Sequence, residues 1–279
     1  MTPIGIFDSG YGGLTVLREI RRHLPEYDYL YLGDNARAPY GPRSFERVYE
    51  FTLQAVRRLF DMGCPLVILA CNTASAKALR TIQQRDLPHL FPPAKGETLP
   101  SRRVLGVIRP TAEIVGELTH TRHIGIVATQ GTVSSRTYEL EIAKFSPDVK
   151  VTAQACPMWV PLVENHEFDS PGADYFVQRD IQRLMQADPL IDTIILGCTH
   201  FPLLLNKVRA YAPAHVRLIS QGEYVARSLG YYLRRHPAID SPLTRGGSVR
   251  YLTTEQPTSF SAAATIFVGQ PVEAEHIDL

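Results

Sequence analysis

Short runs of aliphatic and β-branched residues recur along this chain, each closed by a turn of glycine or small polar residues and followed by apolar positions at helical spacing. Residues 4–7 lead into the turn Asp8-Ser-Gly-Tyr-Gly-Gly and a helical stretch over 14–24. Residues 27–32 open into a loop at 33–42, Ser44 is placed to cap a helix reaching about Met62, and 66–70 precede a helix over 74–84. Strands this short, apolar on both faces and alternating with helices, predict a parallel sheet covered on both sides.

The pattern then restarts. Residues 91–103, rich in proline and charge, read as a surface loop, and a strand over 104–108 with a helix near 111–118 opens a second half. Ile124-Gly-Ile repeats Ile4-Gly-Ile 120 residues on, Cys198 repeats Cys71 at 127, and residues 149–155 stand where 27–32 stood. A last helix is expected from Glu223 to about Arg235, with one more strand-like piece at 248–253 and then 260–268. The expected fold class is α/β: two pseudo-symmetric parallel-sheet domains with the active site between them. The first domain is drawn as 1–103 plus 222–279, discontinuous because the tail packs back, and the second as 104–221.

Cys71, in Val-Ile-Leu-Ala-Cys-Asn-Thr, and Cys198, in Ile-Ile-Leu-Gly-Cys-Thr-His, each end an apolar run. Both settings place a thiol where a strand meets a helix N-terminus, whose free N–H groups favour a thiolate. Two such thiols half a chain apart suggest opposed acid/base groups. Ligands of open α/β sheets bind at the carboxyl ends of strands. Those turns present Asp8 and Ser9, residues 34–41, Cys71-Asn72-Thr73, residues 129–132, residues 161–164 and Cys198-Thr199-His200. Arg37 is their one basic side chain, so a small zwitterion fits better than a polyphosphate. Hydroxyls and backbone N–H groups would hold its carboxylates, with Asp8 or Glu164 near its ammonium. Asp8 reads equally well as a plain helix cap, and the glycine-rich turn lacks both the dinucleotide spacing and the phosphate-loop lysine.

His200, two residues from Cys198, lies on the same side if the segment is a turn, where it could stabilise a thiolate or relay its proton. A zinc site lacks the local Cys or His pair it needs. A cysteine hydrolase would use Cys198 and His200 but leave Cys71 unexplained. Cys64 and Cys156 read as packed core or loop thiols.

Composition removes other classes. Charged residues make up 20% of the chain and the net charge is +1, so nothing points to nucleic acid or an anionic membrane. No apolar run approaches a membrane span. The start reads directly into a strand without an export signal. The expectation is therefore a cytoplasmic protein in a reducing compartment, its four cysteines free of disulfides.

Together these motifs resemble the cofactor-independent glutamate racemases of the aspartate/glutamate racemase superfamily. The matching segments are Phe7-Asp-Ser-Gly-Tyr-Gly-Gly, Leu32-Gly-Asp-Asn-Ala-Arg-Ala-Pro-Tyr-Gly, Ala70-Cys-Asn-Thr-Ala-Ser, Gly106-Val-Ile, Ala128-Thr-Gln-Gly-Thr-Val, Ala155-Cys-Pro-Met-Trp-Val-Pro-Leu-Val-Glu and Leu196-Gly-Cys-Thr-His-Phe-Pro-Leu-Leu. The resemblance implies that Cys71 and Cys198 are the two catalytic acid/bases, assisted by Asp8, His200 and Glu164. It implies that Asp8, Ser9, Tyr40, Gly41, Asn72, Thr73, Thr132, Thr199 and His200 hold the amino acid. It also implies no cofactor, no metal, a homodimer and a supply of D-glutamate for peptidoglycan. An aspartate or hydantoin racemase is the alternative within the superfamily, and a non-catalytic binding protein such as a gyrase-binding regulator the alternative outside it. Three features depart from the family pattern: Arg109 replaces a common Glu before proline, the 91–103 loop is long, and Gln221 follows Ile219-Ser220 where an Asp-Ser pair is common.

Overall fold

The computed structural model describes residues 1–92 and 101–279, so most of the loop read at 91–103 lies outside the described residues. The strands are β1 (Ile4–Asp8), β2 (Tyr29–Gly33), β3 (Leu66–Leu69), β4 (Arg103–Gly106), β5 (His123–Ala128), β6 (Lys150–Ala155), β7 (Thr193–Gly197), β8 (Arg217–Ser220), β9 (Val249–Thr253) and β10 (Ala274–His276). They form two all-parallel sheets, ordered β10-β9-β2-β1-β3-β4 and β6-β5-β7-β8. The order β2-β1-β3-β4 is that of β6-β5-β7-β8, so the repeated sequence is a repeated topology. Between parallel neighbours the chain crosses over through helices, which cover both faces.

This equivalence corrects one reading. The strand at 104–108 does not open the second half: Arg103–Gly106 pairs with Leu66–Leu69 as the fourth strand of the first sheet, the counterpart of β8. An apolar run carries no mark of which sheet it joins; only pairing decides. The tail extends the first sheet, with β9 beside β2 and β10 beside β9, while residues 260–268 fall within the helix Pro257–Val268. Ser44 caps Phe45–Asp61 as expected, its hydroxyl accepting from the Arg47 N–H. The helix read over 74–84 is instead broken: Asn72–Lys77 ends, a short turn follows, and Ile82–Asp86 is π-helical.

Side chains alternate across each strand. In β3, Leu66 and Ile68 face one apolar cluster while Val67 and Leu69 face another. The first of these clusters is continuous across the molecule, running from Ile4, Ile6 and Tyr31 to Trp159, Val177 and Leu196. Each such aliphatic side chain contributes roughly 1.5–3 kcal/mol on burial, and here part of that gain is shared between the two sheets. The chain leaves the first sheet after Gly106 and returns after Ser220. The helices that follow are exchanged: Ile108–Leu118 packs on Thr137–Phe145 of the second half, and Gly222–Arg235 packs on Gly13–His23 of the first. Arg109 pairs with Glu113 at 2.8 Å on the surface and lies over the Phe145 ring. Among the described residues no helix is long and apolar enough to cross a membrane.

Candidate active site

In each sheet the chain reverses its direction of winding between the first and third strands, β1 and β3 in one, β5 and β7 in the other. A crevice opens at the carboxyl ends of strands at such a reversal. Asp8 ends β1 and Ser9 follows it, Cys71 lies just beyond β3, Thr129 follows β5 and Cys198 follows β7. The two crevices face one another and enclose a cavity of ≈ 170 Å³. Thr15 Oγ1 donates to the Thr199 carbonyl at 2.9 Å and the Thr73 and Thr129 hydroxyls bond at 2.9 Å, closing the halves around it. Gly12 sits where the halves approach most tightly. A Cβ there would lie 2.4 Å from both His200 Nδ1 and Thr199 Oγ1, so any side chain would displace these two side chains.

The two thiols have different neighbours. Cys71 is the N-cap of Asn72–Lys77, its sulfur accepting from the Ala74 N–H at 3.4 Å and lying 3.4 Å from Ser9 Oγ. The helix N-terminus does not make this thiol acidic. Burial, and then the Asp8 carboxylate, push it up to about 12, outweighing the Ser9 and Ala74 donors. Asp8 accepts from the Gly10 N–H at 2.9 Å through Oδ2, while Oδ1 is buried without a partner among the described residues. Burial raises its own pKa, against the pull of His200.

No α-helix begins at Cys198; a turn leads to the 3-10 segment Phe201–Leu204. The turn puts His200 Nδ1 3.9 Å from Cys198 Sγ, and His200 Nε2 lies 3.0 Å from Glu164 Oε1. Burial alone would lower the imidazole, but the bonds and charges of Cys198 and Glu164 carry it to about 10. His200 is therefore held as the cation at neutral pH, with an N–H at each ring nitrogen for Glu164 and for the Cys198 sulfur. Because the folded value lies above the ordinary 6.5, this proton stabilises the fold. The contribution is complete below 6.5 and is lost as pH rises through about 10.

The cavity wall brings together Ser9, Tyr40, Gly41, Cys71, Asn72, Thr73, Glu164, Cys198, Thr199 and His200 of the expected site. Asp8 and Thr132 are not in the wall. Asp8 is buried behind Ser9, and Thr132 bonds Thr129 and Thr73. The Tyr40 hydroxyl is committed to Asp34, which leaves its ring to the cavity. Arg37 binds Asp34 through Nε at 2.7 Å and Gln54 at 2.6 Å, and no lysine or arginine lines the wall. Pro39, Thr129, Gln130 and Pro161, in strand-end turns marked from the sequence but not assigned a role there, also line it, and Pro42, Cys156, Pro157 and Val160 complete it. The repeat held the signal for Thr129, because the 120-residue offset maps Ser9 onto it. Cys156 is fully buried as expected of a core thiol, yet it borders the cavity. All four cysteines are free, and among the described residues no cluster of His, Cys, Asp or Glu could hold a metal ion.

Two buried thiols, one beside a carboxylate and one beside a cationic imidazole, can exchange protons with a small molecule between them. The profile of the Asp/Glu/Hydantoin racemase family matches residues 13–229. A glutamate racemase of Roseobacter denitrificans is 41% identical over 97% of this chain and 98% of its own length. Among solved structures, a glutamate racemase isoform from Bacillus anthracis superposes with a TM-score of 0.86 at 35% identity, covering 100% of this chain and 98% of the other. The glutamate racemase of Francisella tularensis, solved in complex with D-glutamate, gives 0.84 at 27% identity, covering 99% of this chain and 97% of that one. With likeness this extensive in sequence and in fold, the chain belongs to the Asp/Glu/hydantoin racemase family.

Proposed function

We propose that this chain is an amino-acid racemase that interconverts L- and D-glutamate, with Cys71 and Cys198 as opposed proton carriers. The observation that carries the reading is the pair of thiols, set at equivalent strand ends of two repeated halves and facing one cavity. One thiol must act as a thiolate base while the other stands protonated. Cys71, pushed up to about 12, suits the thiol, and Cys198, with His200 Nδ1 3.9 Å from its sulfur, is the partner that opens the reaction as the base. The thiolate takes the α-proton from one face, the thiol delivers a proton to the other, and the protonation states end exchanged. Both directions therefore use the same groups.

Thiolate basicity alone is too weak for an α-proton, so donors must stabilise the charge that moves onto the α-carboxylate. Asn72, Thr73 and Thr199 supply them, and closure of the two halves excludes water. Ser9 and the Tyr40-Gly41 segment hold the remainder of the substrate, with Thr132 acting through Thr73 and Thr129. Asp8 and Glu164 balance the ammonium and the His200 cation. We further propose that the two sheets mark two domains, 1–106 with 222–279 and 107–221. A homodimer, a cytoplasmic location and a role in supplying D-glutamate to peptidoglycan accompany this reading.

The test is circular dichroism of purified protein with L-glutamate and, separately, L-aspartate, in the presence of a chelator. The expected result is loss of the glutamate signal with solvent deuterium entering the α-carbon. Selective loss of the aspartate signal would move the reading to aspartate, and no loss with either would overturn it.

A further inference from the structure

Gln221, one of the departures seen in the sequence, sits at a joint. Val107 follows β4 and Gln221 follows β8, so the repeat makes them equivalent, and they are the points where the chain leaves and re-enters the first half. Gln221 Nε2 donates to the Val107 carbonyl at 3.0 Å and to the Tyr138 hydroxyl at 2.7 Å. Tyr138 donates in turn to Asn72 Oδ1 at 2.8 Å, and Asn72 Nδ2 donates to Gln221 Oε1 at 2.9 Å. Asn72, Tyr138 and Gln221 thus form a closed ring. They are 1%, 2% and 3% exposed, so bulk water does not compete for these bonds.

The ring has only one consistent polarity. A main-chain carbonyl only accepts, so the Gln221 atom facing Val107 is its nitrogen, and its oxygen is left for Asn72. Asn72 must answer with nitrogen, which leaves its oxygen to accept from Tyr138. Burial, and then the charge of Cys198, push the Tyr138 hydroxyl above its ordinary range, so it remains a donor. Gln221 has spent both N–H groups. Asn72 has spent one of two, and Asn72 forms part of the cavity wall beside Cys71.

We propose that Gln221 and Tyr138 are positioning residues that fix the Asn72 amide so that its second N–H, and not its carbonyl oxygen, is offered to the substrate α-carboxylate. The proposal rests on the racemase reading above. An unrestrained amide would populate both orientations in the empty site, and the carboxylate would have to turn the oxygen away as it binds and reacts. Charge builds on that carboxylate as the α-proton leaves, so the oriented donor counts for more in the transition state than in the ground state. The Gln221–Val107 bond ties this orientation to the joint, so the donor is set only when the two halves are correctly seated.

Tyr138→Phe and Gln221→Leu are each expected to lower kcat by about tenfold with KM within about twofold, the pattern of an interaction made mainly in the transition state. Asn72→Ala should lose about as much, and Asn72→Ala combined with Gln221→Leu should lose little more, because both act through one donor. Full multiplication of the two losses, or unchanged kcat in both ring variants, would overturn the proposal. A second measurement stands apart from activity. In nitrogen-15 spectra one Asn72 side-chain proton should exchange slowly in the wild-type protein, and Gln221→Leu should remove that protection; equal exchange of both protons in the wild type also overturns it. If the wild-type protein keeps the protected proton but does not racemise glutamate, the racemase reading fails while the ring stands.

Discussion

The surroundings of Cys71 and of Cys198 are built on the same strand order and diverge one residue further out. Cys71 has a carboxylate, a hydroxyl and a helix N-terminus about it, and its proton is held tightly. Cys198 has an imidazole clamped by Glu164. A repeated fold can thus supply two thiols in equivalent positions while surrounding them with different neighbours. On the racemase reading the two thiols share one proton and trade it at each turnover, so this difference bears on which form of the free protein predominates and not on whether the reaction can run.

The harshest way to break the comparison is to remove one thiol. Cys71→Ala and Cys198→Ala should each cut racemisation by ~10³-fold or more, the upper range for loss of a general acid or base. Each variant should still exchange the α-proton with deuterium for one enantiomer only, and the two variants should select opposite enantiomers, as proton NMR of each pure isomer would reveal. Exchange of both enantiomers by one variant would mean that the thiols do not act on opposite faces.

Weakening the clamp on one side should have a smaller effect. Glu164→Gln removes a bond and a charge that raise His200, so the imidazole should titrate below about 10, moving toward 6.5. Activity should fall by about tenfold near pH 9, where the ring would now be neutral, and less near pH 6, where it stays cationic. Enantiomers are equal in free energy, so kcat/KM must fall by the same factor from either side; the asymmetry of the site can show only in kcat and KM separately. An imidazole still titrating near 10 in this variant would show that Glu164 is not what holds the proton.

The mildest probe is Ser9→Ala, which withdraws one of the two donors that oppose the rise in Cys71. Alkylation of Cys71 should then begin at still higher pH, and turnover should fall only severalfold, in keeping with ~1 kcal/mol for one hydrogen bond. A larger loss than that of Glu164→Gln would reverse the ranking of the two neighbourhoods.

Much of this was legible in the sequence because strands, glycine turns and repeated motifs are local signals. Cys71, Cys198 and His200 could be placed at strand ends from spacing alone. What spacing could not give is balance. A helix N-terminus was expected to ease the Cys71 proton away, and burial, seconded by the Asp8 carboxylate 63 residues earlier in the chain, reverses that. Sheet membership was equally invisible for residues 103–106, since a short edge strand reads alike in either half. The Asn72–Tyr138–Gln221 ring joins three distant segments, and nothing in the local pattern of any one of them announces it.

The Thr73, Thr129 and Thr132 hydroxyls, bonded to one another at 2.9–3.5 Å, bear on how such a catalyst lets go of what it has made. A racemase product differs from its substrate only in the side on which one hydrogen sits, so no change of charge or size can expel it. In the proposed function, hydroxyls that already satisfy each other across the cleft must give up those bonds to hold the substrate. On the racemase reading, the bonds these hydroxyls can make among themselves set a ceiling on grip and favour release.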